Sequence, residues 1–146
     1  NISDNFKKLL SKEFEQGLDN FDTYLRFKDD CESSKKRLIK ILNSFAEQDK
    51  KISGYAATSK STTILNYCKI GKDIINCIYD TTPIKIDKFS PGMHIPVLPY
   101  EQFHESDPDY VLLFAWNHAV EIMKKEESYM SKGKHWITYI PKVEID

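Results

Sequence analysis

An α/β fold with a small, mostly parallel sheet behind an N-terminal helical extension is what the sequence predicts, on three observations. Apolar residues recur at helical spacing through the first fifty positions. A strand–helix–strand order follows from Lys51 to Tyr79. An almost wholly apolar run, Tyr110–Trp116, stands in the second half. Two strands joined through a helix lie parallel, because such a crossover is too long for a hairpin. An apolar run without polar alternation fits a central strand buried on both faces. Together these give a doubly wound, Rossmann-like sheet. The expected boundaries are 1–50 for the helical extension, packed on the domain or on a missing partner domain, and 51–146 for the sheet domain.

In chain order, Phe6, Leu9, Leu10 and Phe14 mark a first helix that Gly17 ends. Asn20 or Asp22 caps a second, with Leu25, Cys31, Leu38, Leu42 and Phe45 on its apolar positions. Lys51–Tyr55 is a short strand, Ser61–Cys68 a helix, and Ile74–Tyr79 a strand that stops at Asp80. A loop with Pro83 and Pro91-Gly92 as breakers runs from Thr81 to Met93. His94–Leu98 reads as a short strand and Gln102–Ser106 as a brief helix. After the central strand, Asn117 is placed to cap a helix that runs to Lys132, with Gly133 as its C-cap. His135–Ile140 is the last strand, closed by Pro141.

Composition removes several classes of function. Net charge is −1 and the lysines are dispersed, which disfavours a nucleic-acid partner. Three cysteines, Cys31, Cys68 and Cys77, with no Cys-x-x-Cys pair, suggest neither a disulfide framework nor a metal site. They read as buried free thiols in a reducing, cytoplasmic compartment. No apolar run reaches membrane-span length. The polar N-terminus is not a signal peptide, and it lacks an initiator Met, so a fragment of a longer protein is expected. His104, His118 and His135 show no metal spacing and receive no role.

The segment from Gly54 to Asn66 is the best candidate ligand site. Ligands of open α/β sheets bind beyond the carboxyl ends of the strands. Here small and hydroxylic residues, Ala57, Thr58, Ser59 and Ser61, surround Lys60 and lead into a helix N-terminus, where free N–H groups favour an anion. A polar turn with capping hydroxyls explains the same residues. The dinucleotide fingerprint needs three glycines and this loop has one. For a P-loop, Gly54, Lys60 and Ser61 fall in register, but Ser59 stands in place of the second glycine.

Four segments in order carry a resemblance: Gly54-Tyr55-Ala56-Ala57-Thr58-Ser59-Lys60, Leu65-Asn66-Tyr67-Cys68, Pro91-Gly92-Met93-His94-Ile95-Pro96-Val97, and Pro108 to Asn117. From about Gly17 to Pro141 the chain resembles the C-terminal domain of S-adenosylmethionine-dependent nucleotide-sugar C-methyltransferases, which act on deoxysugars. The family's first loop usually reads G-Y-G-A-x-x-K-G-N; here Ala56, Ser61 and Thr62 replace its second glycine, later glycine and asparagine. The resemblance implies an N-terminal zinc module and a central methyltransferase domain, both missing here. It implies that the S-adenosylmethionine site and the acid–base residues lie in that central domain, so this segment alone has no cofactor, no catalytic residue and no activity. Its expected task is to hold a nucleotide-diphosphate sugar.

On that footing Gly54, Tyr55, Ala57, Ser59, Lys60, Asn66, Asp80, Gly92, His94, Trp116 and Asn117 are the candidate substrate-binding residues. Lys60 neutralises a diphosphate or is a solvated turn lysine. Asn66 reaches a ligand or caps a carbonyl. Tyr55 and Tyr67 stack on a base or sugar, or pack in the core with the hydroxyl outward. Asp80 meets ribose hydroxyls or forms a turn. His94 contacts phosphate or a partner domain, or is structural. Trp116 and Asn117 close the central strand beside the first loop. The alternatives to a methyltransferase part are a non-catalytic nucleotide-binding or assembly module and, more remotely, a P-loop hydrolase.

Overall fold

The computed structural model describes residues 2–146, which divide into two compact units, one ending at Lys35 and one running from Lys36 to Asp146. The first unit holds helix α1, Asp4–Glu15, and the start of helix α2, Phe21–Ala46. Ser3 caps α1 by accepting the Phe6 N–H at 3.3 Å. Gly17, at φ +68°, ends it in the left-handed conformation that glycine tolerates. Asn20 starts α2 by accepting the Asp22 N–H at 2.9 Å. No residue of α1 is buried.

The second unit contains the rest of α2 and then β1 Ile52–Tyr55, α3 Ser59–Cys68, β2 Ile78–Asp80, β3 Val97–Pro99, α4 Phe103–Ser106, β4 Tyr110–Leu113, α5 Ala119–Lys125, α6 Glu127–Met130, β5 His135–Thr138 and β6 Glu144–Ile145. The six strands form one sheet in the order β3-β2-β1-β4-β5-β6. The first five are mutually parallel and β6 runs antiparallel on β5. The chain therefore leaves β1 in one direction to build β2 and β3, and returns to its other side for β4. The reversal point lies between β1 and β4, which is where such sheets open a crevice.

Side chains alternate across this sheet as the strand pleat requires. Ile52, Ile78, Leu112, Phe114 and Ile137 join Leu38 and Leu42 of α2 and Leu65 of α3 in one buried layer. Tyr55, Tyr79, Val111, Leu113 and Trp136 join Phe103 and Tyr129 in the other. The apolar run Tyr110–Trp116 is thus buried on both faces as its composition demands. Gly54 sits at the centre, paired with Ile78 on one side and Leu112 on the other. A methyl group there would stand 2.5 Å from the Phe114 ring.

Several boundaries differ from the sequence reading. Ile74 and Ile75 do not extend β2: their N–H groups close a turn on the Gly71 carbonyl at 3.1 and 3.0 Å, and hydrogen bonding to β1 begins only at Asn76, whose N–H donates to the Ile52 carbonyl at 3.1 Å. The strand placed at His94–Leu98 is shifted to Val97–Pro99, because His94 lies at φ +53° and turns the chain. The predicted strands through Trp116 and Ile140 stop at Leu113 and Thr138. Asn117 does not cap a helix; it lies inside a 3-10 turn, Trp116–His118, that precedes α5. The helix expected to reach Lys132 breaks at Glu126 into α5 and α6. The edge strand β6 has too few residues to show a pattern.

Gly54→Ala is expected to destabilise the chain by about 1–3 kcal/mol, the usual cost of overpacking a filled core. Equilibrium chemical unfolding checks this; an unchanged midpoint would contradict the packing assigned to Phe114.

Candidate functional site

The loop after β1 is built around the Asp80 carboxylate. Asp80 is 7% exposed. Its Oδ2 accepts the Ala57 N–H at 2.7 Å and its Oδ1 the Thr82 N–H at 2.7 Å, while the Lys85 ammonium lies 3.3 Å from Oδ2. Burial alone would raise its pKa, but the hydrogen bonds from Thr82 and the neighbouring Lys85 charge outweigh that and hold it below the usual carboxylate value. The loop reaches Asp80 through Ala56, which stands at φ +70°. This left-handed conformation explains why the family's usual loop has glycine at that position.

Helix α3 begins at once. Thr58 Oγ1 accepts the Ser61 N–H at 3.2 Å, and the Ser61 hydroxyl donates to the Thr58 carbonyl at 2.6 Å. The capping hydroxyls of the sequence reading are therefore real. They satisfy only part of the first turn, since a helix start leaves up to four N–H groups without intrahelical partners.

The candidate residues are spread over several places. Gly54 and Tyr55 are buried in β1: Gly54 makes room for Phe114, and the Tyr55 ring meets Phe103 and Trp136 edge-on. Ala57, Ser59 and Asp80 belong to the loop just described. Asn66 and Gly92 are brought together: Asn66 Nδ2 donates to the Pro91 carbonyl at 2.9 Å and to the Thr62 carbonyl at 2.8 Å, and a side chain on Gly92, φ +82°, would collide with it. Asn66 is thus a clasp between α3 and the 90–94 turn. His94 is an exposed member of that turn, and Asn117 is exposed beyond β4. Lys60 meets Trp116, its ammonium 5.9 Å from the indole centroid.

Two depressions border α3. A cavity of about 280 Å³ is lined by Thr58, Ser59, Lys85, Lys88, Phe89 and Pro91 among others. A shallower apolar groove of about 310 Å³ is lined by Lys60, Tyr67, Trp116, Tyr139 and Ile140. Ser59 borders both. Lys85, Lys88, a helix start and several hydroxyls border this one cavity, and the aromatic groove adjoins it.

One group escaped the sequence reading. Glu126 is 1% exposed. Its Oε1 accepts the Tyr55 and Tyr100 hydroxyls at 2.9 and 2.7 Å, its Oε2 lies 2.9 Å from His104 Nε2, and Lys125 stands 3.6 Å away. Burial first, then the bond to Glu126, raises the pKa of both tyrosines. Tyr55 thereby packs in the core with its hydroxyl turned inward, not to the surface. A signal existed: Glu126 falls on the stripe of Ile122, Met123, Tyr129 and Met130. A further cavity of about 270 Å³, lined by Tyr55, Asp80, Thr81, Tyr100 and Lys125 among others, adjoins this cluster. Among the described residues, no group of three or more His, Cys, Asp or Glu is arranged to hold a metal, and no helix is long and apolar enough to cross a membrane.

Strand order and site define a Rossmann-like domain with a cavity bordered by two lysines, hydroxyls and apolar side chains beside the β1–α3 turn. The family described as the C-methyltransferase C-terminal domain matches residues 1–141. The chain is also similar to the C-methyltransferase NovU of Streptomyces niveus, at 33% identity over 138 residues, which is 94% of this chain and 33% of that protein. The chain therefore belongs to the C-methyltransferase C-terminal domain family, and it spans about a third of the length of that relative.

Ala56→Gly is expected to stabilise the fold by roughly 0.5–1 kcal/mol: relief of the left-handed conformation, worth about 1–2 kcal/mol, is partly offset by the freer unfolded chain. Thermal unfolding measures it, and a lower melting temperature would refute the strained turn. Asp80→Asn tests the carboxylate's bonds to Ala57, Thr82 and Lys85 through pH. The folded pKa of Asp80 is depressed, so its contribution is complete above the unfolded value of about 3.9 and is lost as pH falls through the folded value. Wild type should therefore lose stability below about pH 4 more steeply than Asp80→Asn. Parallel acid profiles would reject this account.

Proposed function

We propose that this chain is the nucleotide-sugar-binding portion of a larger S-adenosylmethionine-dependent C-methyltransferase acting on a deoxysugar carbon. The carrying observation is the cavity between the start of α3 and the Lys85–Lys88 segment, whose hydroxyls and two cations suit a diphosphate. Family membership supplies the reaction class. The methyl donor is assigned to the missing central domain. The acid at the end of β2 that would take an adenosine ribose, Asp80, is turned onto Ala57, Thr82 and Lys85, so this loop does not fit that cofactor. On this reading the chain anchors the diphosphate, and with it the sugar, toward catalytic residues elsewhere. On this reading the protein is cytoplasmic, which suits three cysteines without a disulfide.

A non-catalytic assembly role is the second reading, and α1 favours it: a twelve-residue helix with no buried residue and Phe6, Leu9, Leu10 and Phe14 on it suits a covering partner domain. The P-loop alternative gains nothing, because Asp80 is committed to backbone amides and Lys85.

Titration of the chain with uridine diphosphate, followed by amide chemical shifts, is expected to perturb Thr58–Thr62, Lys85 and Lys88. Lys88→Ala should weaken binding several-fold, by about 1 kcal/mol. Shifts confined elsewhere would sink the nucleotide-sugar reading, and Lys60→Ala and Lys88→Ala without effect on binding or on full-length activity would favour assembly.

A further inference from the structure

The segment joining β2 to β3 is firmly held yet presents two large apolar side chains to solvent. Its backbone is fixed at many points. Besides the Asp80 bond to Thr82, Lys85 N–H donates to the Thr82 carbonyl at 3.0 Å and Asp87 N–H to the Val97 carbonyl at 3.0 Å. Val97 N–H returns to the Lys88 carbonyl at 2.8 Å. Ser90 is 4% exposed, and its hydroxyl accepts the Ile95 N–H at 3.0 Å. Phe89 lies between Lys88 and Ser90 in this braced stretch and bridges to Pro96. The inward Ser90 leaves Phe89 outward, at 63% exposure, and Ile84 is 83% exposed. Burial of such side chains is ordinarily favourable, and the backbone here withholds it.

Both residues line the cavity that holds Thr58, Ser59, Lys85 and Lys88. An aromatic ring and an aliphatic wall next to two cations match the two chemistries of a nucleoside diphosphate, a flat base and an anionic tail. We propose that Phe89, backed by Ile84, is the seat of the nucleobase, with Lys85, Lys88 and the start of α3 taking the phosphates. The inference rests on the nucleotide reading above and adds the base contact to it. The Trp116 groove is the competing seat. It is the weaker one because Lys60 already stands over the indole, and because both cavity lysines lie with Phe89 instead.

The test uses the 146-residue chain, with uridine diphosphate and inorganic pyrophosphate as probes in calorimetric titrations. Phe89→Ala is expected to weaken uridine diphosphate binding about tenfold or more, the usual scale of a lost base–aromatic stack, while pyrophosphate changes by less than about twofold. Phe89→Tyr should restore binding. If Phe89→Ala leaves uridine diphosphate unaffected and Trp116→Ala weakens it, the base sits in the groove; the assignment is overturned while the nucleotide reading survives. Equal loss for both probes would make Phe89 a structural residue and also overturn it. Binding of neither probe by wild type would remove the nucleotide reading and this inference together.

Discussion

The carboxylate of Asp80 is the constraint around which the ligand-facing end of the sheet is arranged. One oxygen holds the loop after β1 through Ala57, the other starts the loop after β2 through Thr82, and Lys85 completes the set. A buried carboxylate is stable only when such partners replace water. The need to deliver the Ala57 amide to Asp80 explains why the chain turns through a left-handed residue at Ala56, and why α3 must begin within two residues of that amide. The cavity walls are therefore set by one side chain: α3 on one side, the 82–90 segment on the other. Asn66 ties the same two walls at a second point through the Pro91 carbonyl.

Glu126 does the corresponding work on the opposite face of the sheet. It gathers Tyr55 of β1, Tyr100 just after β3, His104 of α4, and Lys125. It stands at the break between α5 and α6. Each sheet face thus combines an apolar layer with one satisfied acid. The apolar layers supply bulk stabilisation, and the acids fix which loops meet, because a displaced partner would strand a buried charge.

The sequence reading recovered the mostly parallel α/β class and five of the six strands but not strand ends, and the difference has a physical cause. Parallel strands buried on both faces announce themselves by composition, so Tyr110–Trp116 and Ile52–Tyr55 were legible. Their ends depend on tertiary partners: Ile74 and Ile75 look like strand residues and are buried or half-buried, yet their amides serve a turn on Gly71. Candidate residues were legible as a cluster at the β1 turn, but not in their division of labour. Gly54 answers to Phe114 and Asn66 to Pro91, contacts across sixty and twenty-five positions that no local pattern encodes. Lys85 and Lys88 were passed over because dispersed lysines resemble an ordinary surface; only the fold places them opposite α3.

The altered first loop is best understood from that geometry. Relative to the family's usual form, the chain has Ala56, Ser61 and Thr62 where glycine, glycine and asparagine are common. Ser61 is 2% exposed, and its hydroxyl and amide both close on Thr58. A glycine there could offer its amide only, so the serine adds a bond that fixes the first turn of α3. Fixing the turn compensates in part for the strain at Ala56, since a rigid helix start holds Ala57 in reach of Asp80. The same change turns hydroxyl capacity inward to the backbone, leaving less of it for a ligand. A phosphate in this cavity would then depend more on Lys85 and Lys88, which approach from the opposite wall, than on the loop itself. On the proposed reading, anion binding in this chain rests on the segment facing the loop and less on the loop itself.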